Sequence, residues 1–383
     1  MAHHGVHLNR SAPGLSRRSL VQGALAAGGA LLLVSCGDKQ SADTTQASIR
    51  LTDQRGKVLT FDQPVTKVVT VPMPAASILV AVDRDASHLV GMQEESWLAM
   101  KSGILGEFFP AALGVPHDVA NEEFAPNVES ILALEPDVVV QWADEGNGIV
   151  APMENAGMKV LGVTYGTQQD VNTWFRLFAT MLGKPQRGEA MVAKFRELTD
   201  QVRRALPPAR SGRPSILYFN RYTDGLTVAG PQTYNDYYIS LIGGTNPASG
   251  SDGVKTMGMV DVDLEQVLAW DPDLVLLGNF DSAVPDDVYS DSRWRGARAV
   301  QSRRVYKVPL GGYRWDPPSH ESPLMFSWLA SLAHPGMKNH LASTIGDYYE
   351  FLYGRRPSRK QTAAILWSKD NGGSAHYGQF DTL

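Results

Sequence analysis

Hydrophobic and polar positions alternate with period two in Ile49-Arg50-Leu51-Thr52 and again over residues 57–61. The polar stretch Asp53-Gln54-Arg55-Gly56 lies between the two runs, so a β-hairpin is predicted there. Residues 67–71 form a short β-branched run that stops at Pro72-Met73-Pro74, and an apolar helical segment follows over 75–82. A longer period appears over 188–206, where Met191, Phe195, Leu198, Val202 and Leu206 recur every three or four positions. That spacing predicts an amphipathic helix, closed by Pro207 and Pro208. Residues 170–182 are helical by the same pattern.

One regularity is longer still. Glu129, Leu132, Ala133, Pro136 and Asp137 recur as Glu265, Leu268, Ala269, Pro272 and Asp273, a constant offset of 136 residues. Each copy reads as a short helix, a proline stop and a run of Val or Leu, the signature of a strand buried on both faces. A period this long excludes a solenoid and predicts two lobes of similar build.

The ends and the charge add to this picture. The first 18 residues carry Arg10, Arg17 and Arg18 and no acid, and residues 19–34 are mostly Leu, Ala, Gly and Val. A basic start, a short apolar core and small residues describe a removable signal rather than a membrane span. Leu33-Val34-Ser35-Cys36 resembles the bacterial lipobox, which implies a lipid on Cys36 and an exported, membrane-anchored protein. Ser16-Arg17-Arg18-Ser19-Leu20-Val21 resembles the twin-arginine export signal. Residues 37–48 are polar and unpatterned and read as a flexible tether. Losing residues 1–35 removes three of the 35 basic residues and none of the 40 acidic ones, leaving 32 against 40, a balance of −8. Such a surface, with no basic stripe, argues against nucleic acid as a partner. One cysteine allows no intramolecular disulfide.

The chain resembles the substrate-binding proteins of ABC importers, in the subgroup that captures ferric siderophores, cobalamin and haem. The resemblance rests on the opening with Pro64, Val65, Lys67, Val68 and Val69, and on both copies of the repeat. It continues through Trp315-Asp316-Pro317-Pro318, Glu321-Ser322-Pro323-Leu324 and His334-Pro335, and fades after about Leu366. It implies an α/β fold: two Rossmann-like lobes with central β-sheets flanked by helices, joined by a single long α-helix. The domains expected are the signal and lipobox at 1–36, the tether at 37–48, an N-terminal lobe at 49–187 and a connecting helix at 188–207. A C-terminal lobe at 208–366 and a tail at 367–383 follow. The resemblance further implies that Glu129 and Glu265 each dock on an arginine of an ABC permease with its ATPase.

Ligands of open α/β sheets bind beyond the carboxyl ends of the strands. Reading off those ends gives Met73, Trp142, Arg221, Tyr222, Arg314 and Trp315 as ligand-binding candidates, with Tyr238 from the segment nearby. Arginine supplies fixed donors and aromatic faces supply stacking area, a combination that suits a bulky, partly anionic metal chelate, above all an iron(III)-siderophore. Cobalamin, haem and a nickel chelate stay open as cargo of the same architecture. No resident cofactor is expected. His320 stands where the family often carries proline; a metal ligand and a loop change are both open. Adjacent residues in an extended chain point opposite ways, which disfavours His320 and Glu321 holding one ion. His88, His117, His334, His340 and His376 show no metal-ligand spacing, so a chelated metal is expected over a bare one. No nucleophile elbow, phosphate loop or zinc-hydrolase helix occurs, so no enzyme is expected. A surface lipoprotein that binds another protein is the rival of a different class, and a siderophore hydrolase comes last.

Overall fold

The computed structural model describes residues 48–381, apart from 144–145, 209–211, 251–257 and 338–339. The expected signal, Cys36 and the expected tether as far as residue 47 lie outside the described residues. A hairpin of β1 (Ile49–Thr52) and β2 (Val58–Phe61) opens the fold, turning through Gly56 at φ +82°. The N-terminal lobe follows with β3 (Val68–Thr70), β4 (Leu89–Met92), β5 (Val138–Trp142) and β6 (Val160–Val163). These four are parallel in the order β4-β3-β5-β6. The C-terminal lobe holds β7 (Ile216–Arg221), β8 (Leu226–Ala229), β9 (Met259–Val262), β10 (Leu274–Leu277) and β11 (Val305–Lys307). Their order is β11-β10-β7-β8-β9, with β11, β10 and β7 parallel and β8 and β9 antiparallel.

The 136-residue repeat holds down to single hydrogen bonds. The helices Val128–Ala133 and Leu264–Trp270 are capped by Asn127 and Asp263, whose side chains accept from Ser130 N and Gln266 N. The chain leaves them through Glu135 and Asp271, both left-handed, at φ +48° and +41°. Proline at 136 and 272 forbids another helical turn. Asp137 then accepts from the backbone N–H of Thr66 and Lys67 at 2.7 and 2.9 Å, and Asp273 from that of Ser215 at 2.8 Å. Each aspartate thereby ties its own strand to the first strand of its lobe: Val138 pairs with Val68, and Leu274 with Ile216. Burial pushes the Asp137 carboxyl up, but these backbone donors outweigh it and hold it below the usual range.

A 21-residue helix, Pro185–Ala205, joins the lobes, with proline at its first position, where no N–H is needed. It buries Met191, Phe195, Leu198 and Val202 on one face, and Phe195 meets Phe326 edge-on at 6.3 Å. Near its start, Arg187 Nη2 donates to Ala81 O, Phe351 O and Leu352 O at 2.9, 2.8 and 3.1 Å. One guanidinium thus pins the helices Ala75–Asp83 and Leu341–Tyr353 together. Burial, with Arg84 nearby, pulls its pKa down to about 10.

Residues 367–381 pack onto the C-terminal lobe. Asn371 accepts from Lys307 N at 2.7 Å and donates to Lys307 O at 3.0 Å, acting as a one-residue strand on the edge of β11. Val305 O accepts from Ser374 Oγ and Tyr289 OH, and Val305 N donates to Tyr289 OH. Tyr377 and Phe380 are buried, and Tyr377 stacks on Tyr306 at 6.0 Å. Side chains have replaced the missing strand at a sheet edge that would otherwise invite pairing.

Candidate functional site

A cavity of about 560 Å³ lies where the carboxyl ends of both sheets face each other. The N-terminal lobe lines it with Met73 after β3, Glu95 after β4, and Glu122 and Phe124 from a long loop. The C-terminal lobe supplies Arg221 at the end of β7, Asn279 to Ser282 after β10, and Arg314 after β11. Parallel strands put their carboxyl ends on one side, so residues far apart in sequence converge there.

The floor on the C-terminal side is built from buried charges. Lys307 Nζ donates to Gly278 O at 2.8 Å and Asp281 O at 2.5 Å, holding both ends of the loop after β10. Asp316, fully buried, accepts from Tyr218 OH, Asn279 N and Asn279 Nδ2 at 2.7, 3.0 and 2.9 Å. Burial lowers the Lys307 pKa, and Asp316 and Asp281 oppose the drop. The Asp281 carboxylate is engaged by four neighbouring donors, Tyr222 N, Thr223 N, Thr223 Oγ1 and Ala283 N.

Arg314 is only 7% exposed. Its Nη2 donates to Glu95 Oε2 at 2.8 Å across the gap between the lobes, and its guanidinium lies 4.6 Å from the centre of the Phe280 ring. Burial lowers its pKa, but Tyr313, Asp316 and Glu95 together outweigh that and keep it above the ordinary arginine value. Nη1 is buried with no acceptor. Arg221 Nη1 donates to Phe280 O, and the rest of its side chain is exposed at the rim.

The loop bearing Arg314 rests on Glu321. This buried carboxylate accepts from Gly312 N at 2.9 Å, Trp315 Nε1 at 2.6 Å, Tyr349 OH at 2.9 Å and Tyr353 OH. A Cβ on Gly311 would lie 2.0 Å from Glu321 Oε2 and 2.1 Å from Tyr349 OH, so only glycine fits. Burial pushes the Glu321 carboxyl up, against the pull of its donors.

Met73, Arg221 and Arg314 therefore share one cleft, and the other ligand-binding candidates do not line it. Trp142 is 7% exposed and sits one layer back, behind Phe124 at 5.6 Å and beside Tyr165 at 5.7 Å. Tyr222 points the other way from Arg221 and tilts against Trp294 in the core of its lobe. Trp315 is fully buried, with its indole N–H given to Glu321. Tyr238 is fully buried on its helix and accepts from Asn235 Nδ2. Glu95, Glu122 and Phe124 escaped the reading of the sequence. The strand before Glu95 is four residues long with Gly91 inside it, and Phe124 lies in a loop at φ +61° with no periodic signal. Glu129 and Glu265 are exposed in the first turns of the two equivalent helices.

His320 is fully buried and does not line the cleft. Its ring is buried, Nε2 lies 2.6 Å from Tyr353 OH, and Nδ1 has no partner. Because Tyr353 donates to Glu321, the bond from His320 must be donated by Nε2–H, leaving Nδ1 unprotonated. Burial pulls its pKa down to about 3. The unfolded chain takes up a proton here below pH about 6.5 and the folded chain does not, so this contribution to stability is present above 6.5 and lost as pH falls toward 3. Unfolding by urea at pH 7 and pH 4.5 should show His320→Gln sparing about 2–3 kcal/mol of the acid-induced loss; an identical loss in both proteins refutes the buried neutral ring. Among the described residues no group of three or more His, Cys, Asp or Glu side chains is placed to hold a metal ion. None of the described helices is long and apolar enough to cross a membrane.

The family model of the periplasmic binding proteins matches residues 119–310. A cobalamin-binding protein of Halobacterium salinarum is 28% identical over 228 residues, 59% of this chain and 57% of its own length. The chain thus matches little more than half of that curated relative. The iron(3+)-hydroxamate-binding protein FhuD of Bacillus subtilis is 26% identical over 225 residues, 57% of this chain and 70% of its own. A periplasmic solute binding protein from Veillonella parvula superposes with a TM-score of 0.77 at 29% identity, covering 85% of this chain and 99% of that one.

Proposed function

The chain belongs to the periplasmic binding protein family, and we propose that it captures a metal chelate, a ferric siderophore foremost, and delivers it to an ABC permease. One observation carries this reading: polar and apolar groups from both lobes converge on an interlobe cavity at the carboxyl ends of the sheets. Met73 and Phe280 give an adaptable apolar surface, and the arginines give directed donors. Nothing in this mechanism makes or breaks a covalent bond. The cargo enters between the lobes, is held, and is released when ATP hydrolysis on partner chains opens the permease. A lipid on Cys36 keeps the protein at the membrane, and residues 37–48 give it reach.

Docking falls to Glu129 and Glu265. The repeat presents one exposed carboxylate from each lobe in equivalent surroundings, and arginines on a partner make charge-assisted, geometry-selective bonds to such a pair. The test titrates residues 37–383 with ferric siderophores, cobalamin, haem and a nickel–histidine complex, following tryptophan fluorescence. Quenching at micromolar concentration or below by one class is expected, and silence from all of them defeats the chelate reading. Replacing Glu129 and Glu265 together by alanine should abolish uptake in cells while leaving the dissociation constant unchanged; weakened binding would instead place them in the cargo site.

A further inference from the structure

The cleft contains two arginines, yet its charges are nearly balanced. Arg221 and Arg314 face Glu95, Glu122 and Asp281 among the cavity's lining residues. Asp281 spends its carboxylate on four neighbouring donors, and Arg221 sits at the solvent-screened rim. That leaves Arg314, the buried cation, whose ion-pair partner comes from the opposite lobe.

The geometry of that pair is built in from both sides. Glu95 stands in the first turn of the helix Glu94–Ser102, where the helix dipole favours a carboxylate. Its own N–H is fixed by the Gln93 side chain at 2.7 Å. Arg314 is held from its side by Phe280 beneath it and by the loop anchored on Glu321. An anion from solution must therefore displace a carboxylate that is already positioned and tethered, and so present at high effective concentration. Glu95 is also 43% exposed in its side chain, so its charge is felt by whatever enters.

Resting on the function proposed above, we infer that Glu95 is the specificity-determining residue of the cleft. By occupying Arg314 it fits the site to a metal chelate without net negative charge, such as a ferric trihydroxamate, and sets it against trianionic ferric tricatecholates. Rejection here comes from a repulsive element as much as from attractive contacts.

The test compares neutral ferrichrome with trianionic ferric enterobactin on residues 37–383, in the unaltered protein and in Glu95→Gln, by tryptophan quenching at two salt concentrations. Glutamine keeps the length and one acceptor oxygen, so Arg314 stays in place with its charge unbalanced. The unaltered protein should prefer ferrichrome by roughly tenfold or more, the scale of one charged hydrogen bond. Glu95→Gln should strengthen ferric enterobactin relative to ferrichrome by about tenfold, an effect that fades at high salt. Tighter binding of ferric enterobactin by the unaltered protein overturns the assignment, as does an equal loss for both probes in the variant. Those two results leave the importer reading standing; binding of neither siderophore overturns this inference, and the importer reading falls only if cobalamin, haem and the nickel–histidine complex are silent as well.

Discussion

A chain ended at Leu366 should fail to accumulate as a soluble monomer. Residues 367–381 give β11 its outer partner, chiefly through Asn371, whose side-chain amide meets both the N–H and the C=O of Lys307. They also bury Tyr377 and Phe380, and Trp328 Nε1 donates to Tyr377 OH at 3.1 Å. Losing two such aromatics costs about 3–5 kcal/mol each in a packed core. That is comparable with the whole stability of an ordinary domain, about 5–15 kcal/mol. The exposed edge of β11 would then be a template for pairing with another chain. Size-exclusion chromatography of the shortened protein should show aggregates, or the protein should be confined to the pellet. Asn371→Ala tests the same point more gently: it strands one backbone donor and one acceptor, each worth about 1–3 kcal/mol when buried and unpaired. A shortened chain that stays monomeric, with its melting point lowered by less than about 5 °C, would show that the segment merely covers the lobe.

Glu321→Ala should be the most damaging single substitution in the interior. The carboxylate satisfies four donors at once, from Gly312, Trp315, Tyr349 and Tyr353, and alanine would leave all of them facing an empty space. At about 1–3 kcal/mol for each stranded donor, a loss of roughly 4 kcal/mol or more is expected in urea unfolding. The consequence is not confined to stability. Gly312 and Trp315 flank Arg314, so residual folded protein should also bind its cargo more weakly. Glu321→Gln keeps the volume but turns N–H groups toward donors, and should fall between the two. A loss below about 1 kcal/mol for alanine would mean that these donors find other acceptors, and the loop would then not depend on Glu321.

Much of the architecture was visible before any coordinates. The 136-residue repeat is legible because each copy combines a helix, a proline that must end it, and a run of Val or Leu that must be buried. The spacing of Met191, Phe195, Leu198 and Val202 marks a helix by the same simple physics. The site was legible as a region more than as residues. Strand ends identified Met73, Arg221 and Arg314, but neighbours in sequence were credited with the same direction. Tyr222 and Trp315 instead pack against apolar clusters away from the cleft. Glu95 was hidden because its role is a pairing across lobes, with 219 residues between the partners, and no local pattern encodes that. Residues after 366 escaped for a related reason. Asn371 and Ser374 act through side-chain bonds to a strand edge, which leave no periodicity to read.

Arg187 joins the connecting helix, the N-terminal lobe and the C-terminal helix Leu341–Tyr353 at one guanidinium. Ile104 N also donates to Gly311 O across the lobes at 3.0 Å, and Tyr165 OH donates to Pro318 O. So braced a frame should hold the span between Glu129 and Glu265 nearly constant when the cleft fills. If a permease docks on both glutamates as proposed, it would receive the same answer from a loaded protein and a vacant one. On that reading vacant protein would compete for the gate, and uptake would become a matter of relative numbers: producing more of the protein than its cargo can fill should slow import rather than speed it.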